Sequence, residues 1–213
     1  YCGQLSLGQA GFYAIGGYIF AILTTRIGFS WWETIIISVA VTTLVGFILA
    51  VISMRSRGSA FIIISILFAQ FVKLVALNWT DVTNGQAGIL SIPGMECFGI
   101  LITSKLAIYF YMLIFVVSIQ FLTERITDSK IGRGFIAVKQ DESLAISLGI
   151  SPYRYSIAAF TIGVAFTALA GCFHASFAQM VSPEMADFKN VMLYIIMMVV
   201  VGGRGTLWGP VIG

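Results

Sequence analysis

Long uncharged stretches alternate with short polar segments along this chain. Five stretches approach or exceed the roughly 20 apolar residues that a membrane-spanning helix requires. They cover residues 1–25, 34–54, 58–79, 106–123 and 155–183, and only the third contains a charge, Lys73. The pattern therefore predicts an all-α fold, a polytopic bundle of transmembrane helices.

A sixth apolar stretch, residues 190–203, is too short for a full crossing. It has 14 residues and ends at Gly202 and Gly203. Non-helical backbone inside a membrane persists only where protein or a water-filled cavity covers it. We therefore predict a broken or re-entrant C-terminal segment.

One long polar loop, residues 124–154, interrupts the apolar pattern between the fourth and fifth predicted spans. It holds nine of the 21 charged residues of the chain. If this loop is cytoplasmic, eight Lys and Arg residues lie inside, three lie outside, and Lys73 lies within a span. Positive residues favour the cytoplasmic side. We predict this orientation, with residues 1–213 forming one transmembrane domain that contains the loop at 124–154.

The loop has the pattern of two short capped helices. Asp128 or Ser129 can cap a first helix, whose apolar face would comprise Ile131, Phe135 and Val138. Asp141 can cap a second helix, with Glu142 in its first turn, and Gly149 can end that helix. The second apolar face would comprise Leu144, Ala145 and Leu148, and Ser151 with Pro152 would begin the next span. An amphipathic segment resting on lipid headgroups is the simpler alternative.

Composition narrows the class of protein further. Hydrophobic residues make up 59% of the chain and charged residues 10%, whereas soluble domains carry about 25% charge. The net charge of +3 is small, and no basic patch indicates nucleic-acid binding. Because the chain opens without Met and stops directly after Gly213, we expect a piece of a longer protein.

The sequence offers few groups for catalysis or metal binding. It has no phosphate-binding loop motif, a single histidine (His174), and no carboxylate pair within a predicted span. Cys2, Cys97 and Cys172 are far apart, so they predict neither a disulfide framework nor a metal site. We expect no enzymatic activity, no metal and no cofactor bound by this chain.

Small residues recur every four positions in the fifth predicted span, which places them on one helical stripe. They are Ala159, Gly163, Thr167, Gly171 and Ala175. Small residues let helix backbones approach closely in lipid, so the stripe predicts tight packing against a neighbouring helix.

Several polar residues in or near the apolar spans are candidates for lining a translocation pathway. They are Gln4, Ser6, Gln9, Gln70, Thr83 and Asn84. Interhelical hydrogen bonding explains such residues equally well. Lys73 lies near the outer end of its span, so we expect its ammonium group to extend to the interface. A proton-relay role for His174 has no acidic partner within any predicted span.

Four segments of the sequence resemble the branched-chain amino acid permease family of ABC importers. They are GQLSLGQAGFYAIGGY at residues 3–18, RGSAFIIISILFAQ at 57–70 with TNGQAGI at 83–89, GRGFIAVKQDESLAISLGI at 132–150, and GGRGTLWGPVIG at 202–213. They occur in the family's order and are spread along nearly the whole chain, from residue 3 to residue 213. Phe135 and Leu144 stand where the family more often has small residues, so the fit to a particular partner stays open.

The resemblance implies a function as a permease subunit. Such a subunit would sit in a bacterial inner membrane with a second similar permease, two cytoplasmic ATP-binding subunits and an extracytoplasmic binding protein. ATP would be bound by those partners. The resemblance also assigns ATPase coupling to residues matching the family pattern: Arg133, Asp141, Glu142, Ala145 and Gly149.

Two alternatives remain open at this point. The same machinery could carry urea, short amides or a sugar-like solute in place of branched-chain amino acids. An ATP-independent channel or secondary carrier would usually need intramembrane charges for ion coupling, and here only Lys73 and His174 qualify. A membrane enzyme would need catalytic residues that the sequence does not display.

Overall fold

The computed structural model describes residues 6–55, 59–97, 100–101, 104–187, 191–203 and 208–209. The helices in these ranges are α1 (Gln9–Ile22), α2 (Trp31–Ser53), α3 (Ser59–Asn78), α4 (Thr80–Thr83), α5 (Lys105–Asp128), α6 (Lys130–Gln140), α7 (Glu142–Ser147), α8 (Pro152–Ala178) and α9 (Leu193–Val201). A π-helical turn, Leu23–Ile27, continues α1, and 3₁₀ turns occur at Gly85–Ala87 and Pro183–Ala186. The fold is an all-α helical bundle, as predicted.

Five helical segments in the described residues are long and apolar enough to cross a membrane. They are Gln9–Ile27, Trp31–Ser53, Ala60–Asn78, Leu106–Asp128 and Pro152–Ala178. Each corresponds to one of the five predicted spans, and the chain is a multi-pass membrane protein. Helix α2 begins at Trp31, three residues before the predicted span, and α5 continues to Asp128. Helix α8 ends at Ala178 and the Pro183–Ala186 turn follows, which agrees with a predicted stretch long enough for a span and a turn.

The first predicted span also begins later than its apolar pattern indicates. Residues 6–8 are non-helical, and α1 begins at Gln9. The backbone N–H of Leu7 donates to Ser65 Oγ at 3.0 Å, and the N–H of Gly8 lies 3.4 Å from Ser6 Oγ. These hydroxyl groups satisfy backbone donors that a continuous helix would have paired internally.

Helices α1, α2 and α8 form the centre of the bundle. At the end of the bundle near α6 and α7, a cluster of buried residues contains Phe12, Phe61, Phe160 and Val164. At the opposite end, Trp31 donates from Nε1 to Ser176 Oγ at 2.8 Å, which joins the start of α2 to the end of α8. Hydroxyl groups also join helices within the core, since Ser38 Oγ donates to the Gly16 carbonyl oxygen at 2.7 Å.

Short antiparallel ribbons, which the hydrophobic pattern did not predict, cover the end of the bundle opposite α6 and α7. Strand β1 (Ile89–Leu90) pairs with β4 (Met180–Val181), and β2 (Glu96–Cys97) pairs with β3 (Ile100–Leu101). Each strand has two residues, too few to show the alternation that identifies a strand from sequence. The β1–β4 pair ties the α4–α5 connection to the end of α8.

The last described helical segment covers residues 191–201, of which Leu193–Val201 form α9. At 1.5 Å per residue these eleven residues span about 16 Å, less than the roughly 30 Å hydrocarbon core of a bilayer. Helix α9 ends at Gly202, and the backbone of Gly209 lies directly against Gly202. The chain therefore folds back within seven residues of the end of α9. The broken or re-entrant course of this segment stays a prediction.

Candidate functional site

Local capping bonds define helices α6 and α7 in the polar loop. Ser129 Oγ accepts from the N–H of Gly132 at 3.3 Å, so Ser129 caps α6. Asp141 Oδ1 accepts from the N–H groups of Ser143 and Leu144 at 2.8 and 3.0 Å, and this carboxylate caps α7. Both predicted caps are confirmed, and Glu142 lies in the first turn of α7 as predicted.

Helix α7 also ends as predicted, at Gly149. Gly149 has φ +77°, a left-handed conformation that favours glycine. The N–H of Gly149 donates to the Ile146 carbonyl at 2.9 Å, and the N–H of Ile150 donates to the Ala145 carbonyl at 2.9 Å. These two bonds are the helix-ending pattern that uses a left-handed residue. Ser151 occupies the cap position of α8, but its side chain makes no capping bond.

The loop contacts the membrane bundle through α6. Phe135 and Val138 are buried, and the Phe135 ring meets the Tyr155 ring edge to face with centroids 6.0 Å apart. Tyr153, also in the first turn of α8, donates from its hydroxyl to the Val51 carbonyl oxygen at 2.9 Å. The start of α8 is thus bonded to the end of α2 and packed against α6.

The structure buries only part of each apolar face predicted for the loop. Ile131 is 52% exposed, in contrast to Phe135 and Val138. On α7 only Ala145 is buried, whereas a patch of Leu144, Ile146 and Leu148 is 56–69% exposed. We call these three residues the α7 patch. Of the other residues that the resemblance assigns to coupling, Arg133, Asp141, Glu142 and Gly149 are exposed in the same loop.

A second candidate site is a wide-open cavity, closer to a surface groove, of about 860 Å³ bordered by α1, α5, α8, α9 and the Pro183–Ala186 turn. Its polar lining comprises Tyr13, Thr167, His174, Ser182, Glu184 and Tyr194. Its apolar lining comprises Ile119, Phe166, Ala170, Met185, Val191, Ile195 and Met198. An apolar cavity with a few polar groups is the usual form of a small-molecule site. We call it the α8 cavity.

His174 borders the cavity with a buried Nδ1 that has no hydrogen-bond partner among the described residues. Its ring lies 5.5 Å from the Tyr13 ring, centroid to centroid, at an interplanar angle of 43°. His174 was a weak candidate from sequence alone. Helical spacing could have identified His174 as a lining residue, because positions 167, 170 and 174 share one face of α8.

Gln9 does not line the α8 cavity but contacts one of the residues that do. The hydroxyl of Thr167, which lines the cavity, lies 2.9 Å from Gln9 Oε1 and 2.9 Å from the Gly163 carbonyl oxygen. One predicted pathway candidate and two stripe residues therefore meet at this point. Tyr13, one helical turn beyond Gln9, lines the cavity but was not singled out by the sequence.

The remaining pathway candidates lie elsewhere. Ser6 is part of the non-helical segment before α1, and Gln70 is half-buried on α3. The hydroxyl of Thr83 lies within 2.8 Å of the carbonyl oxygens of Ala76 and Trp79, where it stabilises the turn after α3. Asn84 is exposed in that same turn, and Gln4 lies outside the described residues. The structure does not bring Ser6, Gln70, Thr83 or Asn84 to the α8 cavity.

The small-residue stripe of α8 faces α1 over part of its length. Gly171 packs directly on the Tyr13 carbonyl, and Ala175 is fully buried. By contrast, the nearest atom to a methyl group added at Gly163 would be Gln9 Nε2, 3.9 Å away, and Ala159 is half-buried. The tightest approach also uses Gly16 of α1, which packs on the Ala168 backbone.

Lys73 forms an ion pair that the sequence did not predict, and its extension to the interface stays a prediction. Its Nζ lies 2.8 Å from Asp187 Oδ2, and both side chains are about one quarter exposed. This ion pair joins α3 to the segment that follows the Pro183–Ala186 turn. The sequence offered only a weak signal for it, since the two residues are 114 positions apart.

Within the described ranges, no three His, Cys, Asp or Glu side chains are placed to hold a metal ion. The thiol of Cys172 is free and buried, and its Sγ lies 3.3 Å from Ser38 Oγ. Cys2 and the side chain of Cys97 lie outside the described parts of the structure.

Comparison with known proteins identifies the family. A family model described as "Branched-chain amino acid transport system / permease component" matches residues 1–213. The high-affinity branched-chain amino acid transport system permease protein LivM of Salmonella typhimurium is 32% identical over 233 residues, covering 99% of this chain and 55% of the relative. LivM of Escherichia coli K12 matches with the same identity and coverage.

The chain spans about half the length of these two curated relatives. A comparison with solved structures gave no match. The family match extends over the capped loop, the α8 cavity and the glycine-rich segments alike. This chain belongs to the family of permease components of branched-chain amino acid transport systems.

Proposed function

We propose that this chain is the membrane-spanning part of a permease subunit in an ABC importer. In this function it carries branched-chain amino acids or similar small solutes across a bacterial inner membrane. The energy comes from ATP bound and hydrolysed by two separate cytoplasmic subunits. A second similar permease and an extracytoplasmic binding protein complete the assembly. The family match and the names of the curated relatives support the cargo and the kind of assembly.

The α7 patch carries the proposal for the ATP-binding partner. Leu144, Ile146 and Leu148 expose apolar side chains in a loop that the charge distribution places in the cytoplasm. Large apolar side chains left exposed beside charged residues are typical of a protein contact surface. Arg133, Asp141 and Glu142 are exposed charged residues of the same loop.

The path of mechanical coupling follows from two contacts. Movement of α6 and α7 by the ATP-binding subunits is transmitted to α8 through the Phe135–Tyr155 ring contact. The same end of α8 is bonded to α2 through Tyr153. Helix α8 then carries the movement to the α8 cavity, which it lines at Thr167, Ala170 and His174.

The test replaces Leu144 and Leu148 with Asp in the assembled transporter. Each variant should insert normally, lose co-purifying ATP-binding subunit and lose ATP-dependent uptake, because a charge replaces an apolar contact. Lys130→Asp is the matched control, since it adds the same side chain at an exposed position in the first turn of α6. Full retention of the ATP-binding subunit in both leucine variants would refute the docking role of α7.

A further inference from the structure

The α8 cavity extends along α8 toward the end opposite the α6–α7 loop. Thr167 and His174 are seven residues apart, which is about 10 Å along a helix. The polar lining then continues past the end of α8 at Ser182 and Glu184. In the proposed orientation, the cavity therefore reaches from mid-membrane to the outer side, where an extracytoplasmic binding protein delivers its solute.

Two groups in the cavity suit a positively charged nitrogen. The buried Nδ1 of His174 has no partner among the described residues, and in the tautomer protonated at Nε2 it accepts a hydrogen bond. Glu184, in the Pro183–Ala186 turn, lines the same cavity and supplies a carboxylate. The ammonium of Lys73 is already paired, with Asp187 at 2.8 Å.

The cavity wall also provides an apolar surface, which the apolar part of a solute requires. Phe166 on α8, Met185 in the turn and Ile195 on α9 line the cavity together with the small side chain of Ala170. The volume of about 860 Å³ lies within the range of about 300–1,000 Å³ typical of small-molecule sites. The wall thus offers both polar and apolar contacts.

We propose that the α8 cavity is a solute-binding station on the translocation pathway. His174 and Glu184 bind the ammonium group of a small aliphatic amino acid, and Phe166, Met185 and Ile195 contact its side chain. This inference rests on the proposed transport function and deepens it by assigning the site. The test must therefore separate failure of the site from failure of the function.

The first experiment measures protection of a cysteine by solute. Ala170→Cys is placed in a transport-competent complex whose three native cysteines are replaced by Ala, and a membrane-impermeant thiol reagent is added from outside. Leucine should slow the labelling of position 170, and 4-methylpentanoate, which lacks the ammonium group, should not. Leu90→Cys, in the exposed β1–β4 ribbon, is the control and should label at one rate throughout. Met198→Cys, on the α9 wall, serves if the Ala170 variant does not insert.

The second experiment measures uptake kinetics. His174→Leu should raise KM for leucine about tenfold, the effect expected when a hydrogen bond to a charged group is lost. His174→Asn, which places an amide oxygen near the position of Nδ1, should have a KM for leucine close to that of the unmodified complex. Phe177→Leu, an exposed position on the same helix, is the control and should leave KM unchanged.

The outcomes separate the two proposals. If the unmodified complex transports leucine but leucine protects neither Ala170→Cys nor Met198→Cys, the cavity assignment is wrong and the transport function stands. An equal KM for His174→Leu and the unmodified complex would also overturn the assignment. If the unmodified complex transports no branched-chain amino acid, the proposed function itself fails.

Discussion

The contact between α1 and α8 and the loop formed by α6 and α7 are stabilised in different ways. Along the first, backbones touch without intervening side chains, since Gly171 packs on the Tyr13 carbonyl and Gly16 on the Ala168 backbone. The loop is defined by bonds between residues two to five positions apart, such as those made by Asp141 and Ile150. The α1–α8 contact depends on residues that are far apart in the sequence. The loop depends mainly on bonds between its own neighbouring residues.

This difference suits different tasks. Lipid provides no hydrophobic drive for helix association, so close packing between α1 and α8 supplies much of their attraction. The helix caps allow α7 to form while leaving the α7 patch exposed. The permease thus has a rigid contact beside its cavity and a locally ordered contact surface on its loop. Mutations should affect the two regions to different extents.

The largest effect is expected from crowding the α1–α8 contact. A methyl group at Gly171 would overlap the Tyr13 carbonyl oxygen, so Gly171→Ala should destabilise the assembled permease by about 1–3 kcal/mol, as overpacking usually does. Gly163→Ala on the same helix is the matched control, because the nearest atom would be 3.9 Å away. Thermal unfolding of the purified complex measures both variants. Equal stability of the Gly171→Ala and Gly163→Ala variants would show that α1 and α8 can move apart to accommodate the added methyl group.

A smaller and more local effect is expected from removing the α7 cap. Asp141→Ala leaves two backbone N–H groups without their acceptor and should cost about 0.5–2 kcal/mol of helix stability. Faster hydrogen exchange confined to α7, together with weaker retention of the ATP-binding subunit, is the expected result. Asp141→Asn keeps a capping oxygen and should behave nearly as the unmodified chain does. Exchange that also increases in α1 and α8 would contradict the independence of the two regions.

The smallest effect concerns the Lys73–Asp187 ion pair, which lies outside both regions. With both side chains about one quarter exposed, a double-mutant cycle with Lys73→Met and Asp187→Leu should give a coupling energy of about 0.5–1 kcal/mol. The stability of the four proteins of the cycle provides the measurement. A coupling energy of zero would mean that the pair does not hold the Pro183–Ala186 turn against α3.

The same difference explains which features could be predicted from the sequence. The caps at Ser129 and Asp141 and the end at Gly149 depend on neighbouring residues, so the pattern of residue types was sufficient. The five spans followed from uninterrupted apolar length. The approximate position and short length of α9 followed from a short apolar stretch that ends at two glycines.

Features that depend on distant partners could not be predicted in this way. The small-residue stripe predicted that α8 packs closely, but it could not name Gly16 and Tyr13 as the partners or exclude Gly163. Likewise, no local pattern brings Lys73 to Asp187 or places His174 beside Tyr13. The cavity required the fold, because α1, α5, α8 and α9 each contribute to its wall.

The uninterrupted course of α8 has a further consequence. The helix spans Pro152–Ala178, and its only proline occupies the first helical position, where it causes no bend. Tyr155 and His174 are 19 residues apart, which is about 28 Å along the axis. Because Tyr153 is anchored to Val51, that end can act as a fulcrum, and a tilt of about 5° over this length displaces the far end by about 2 Å. A displacement of that size is enough to widen or narrow the opening beside His174 without any hinge inside the helix.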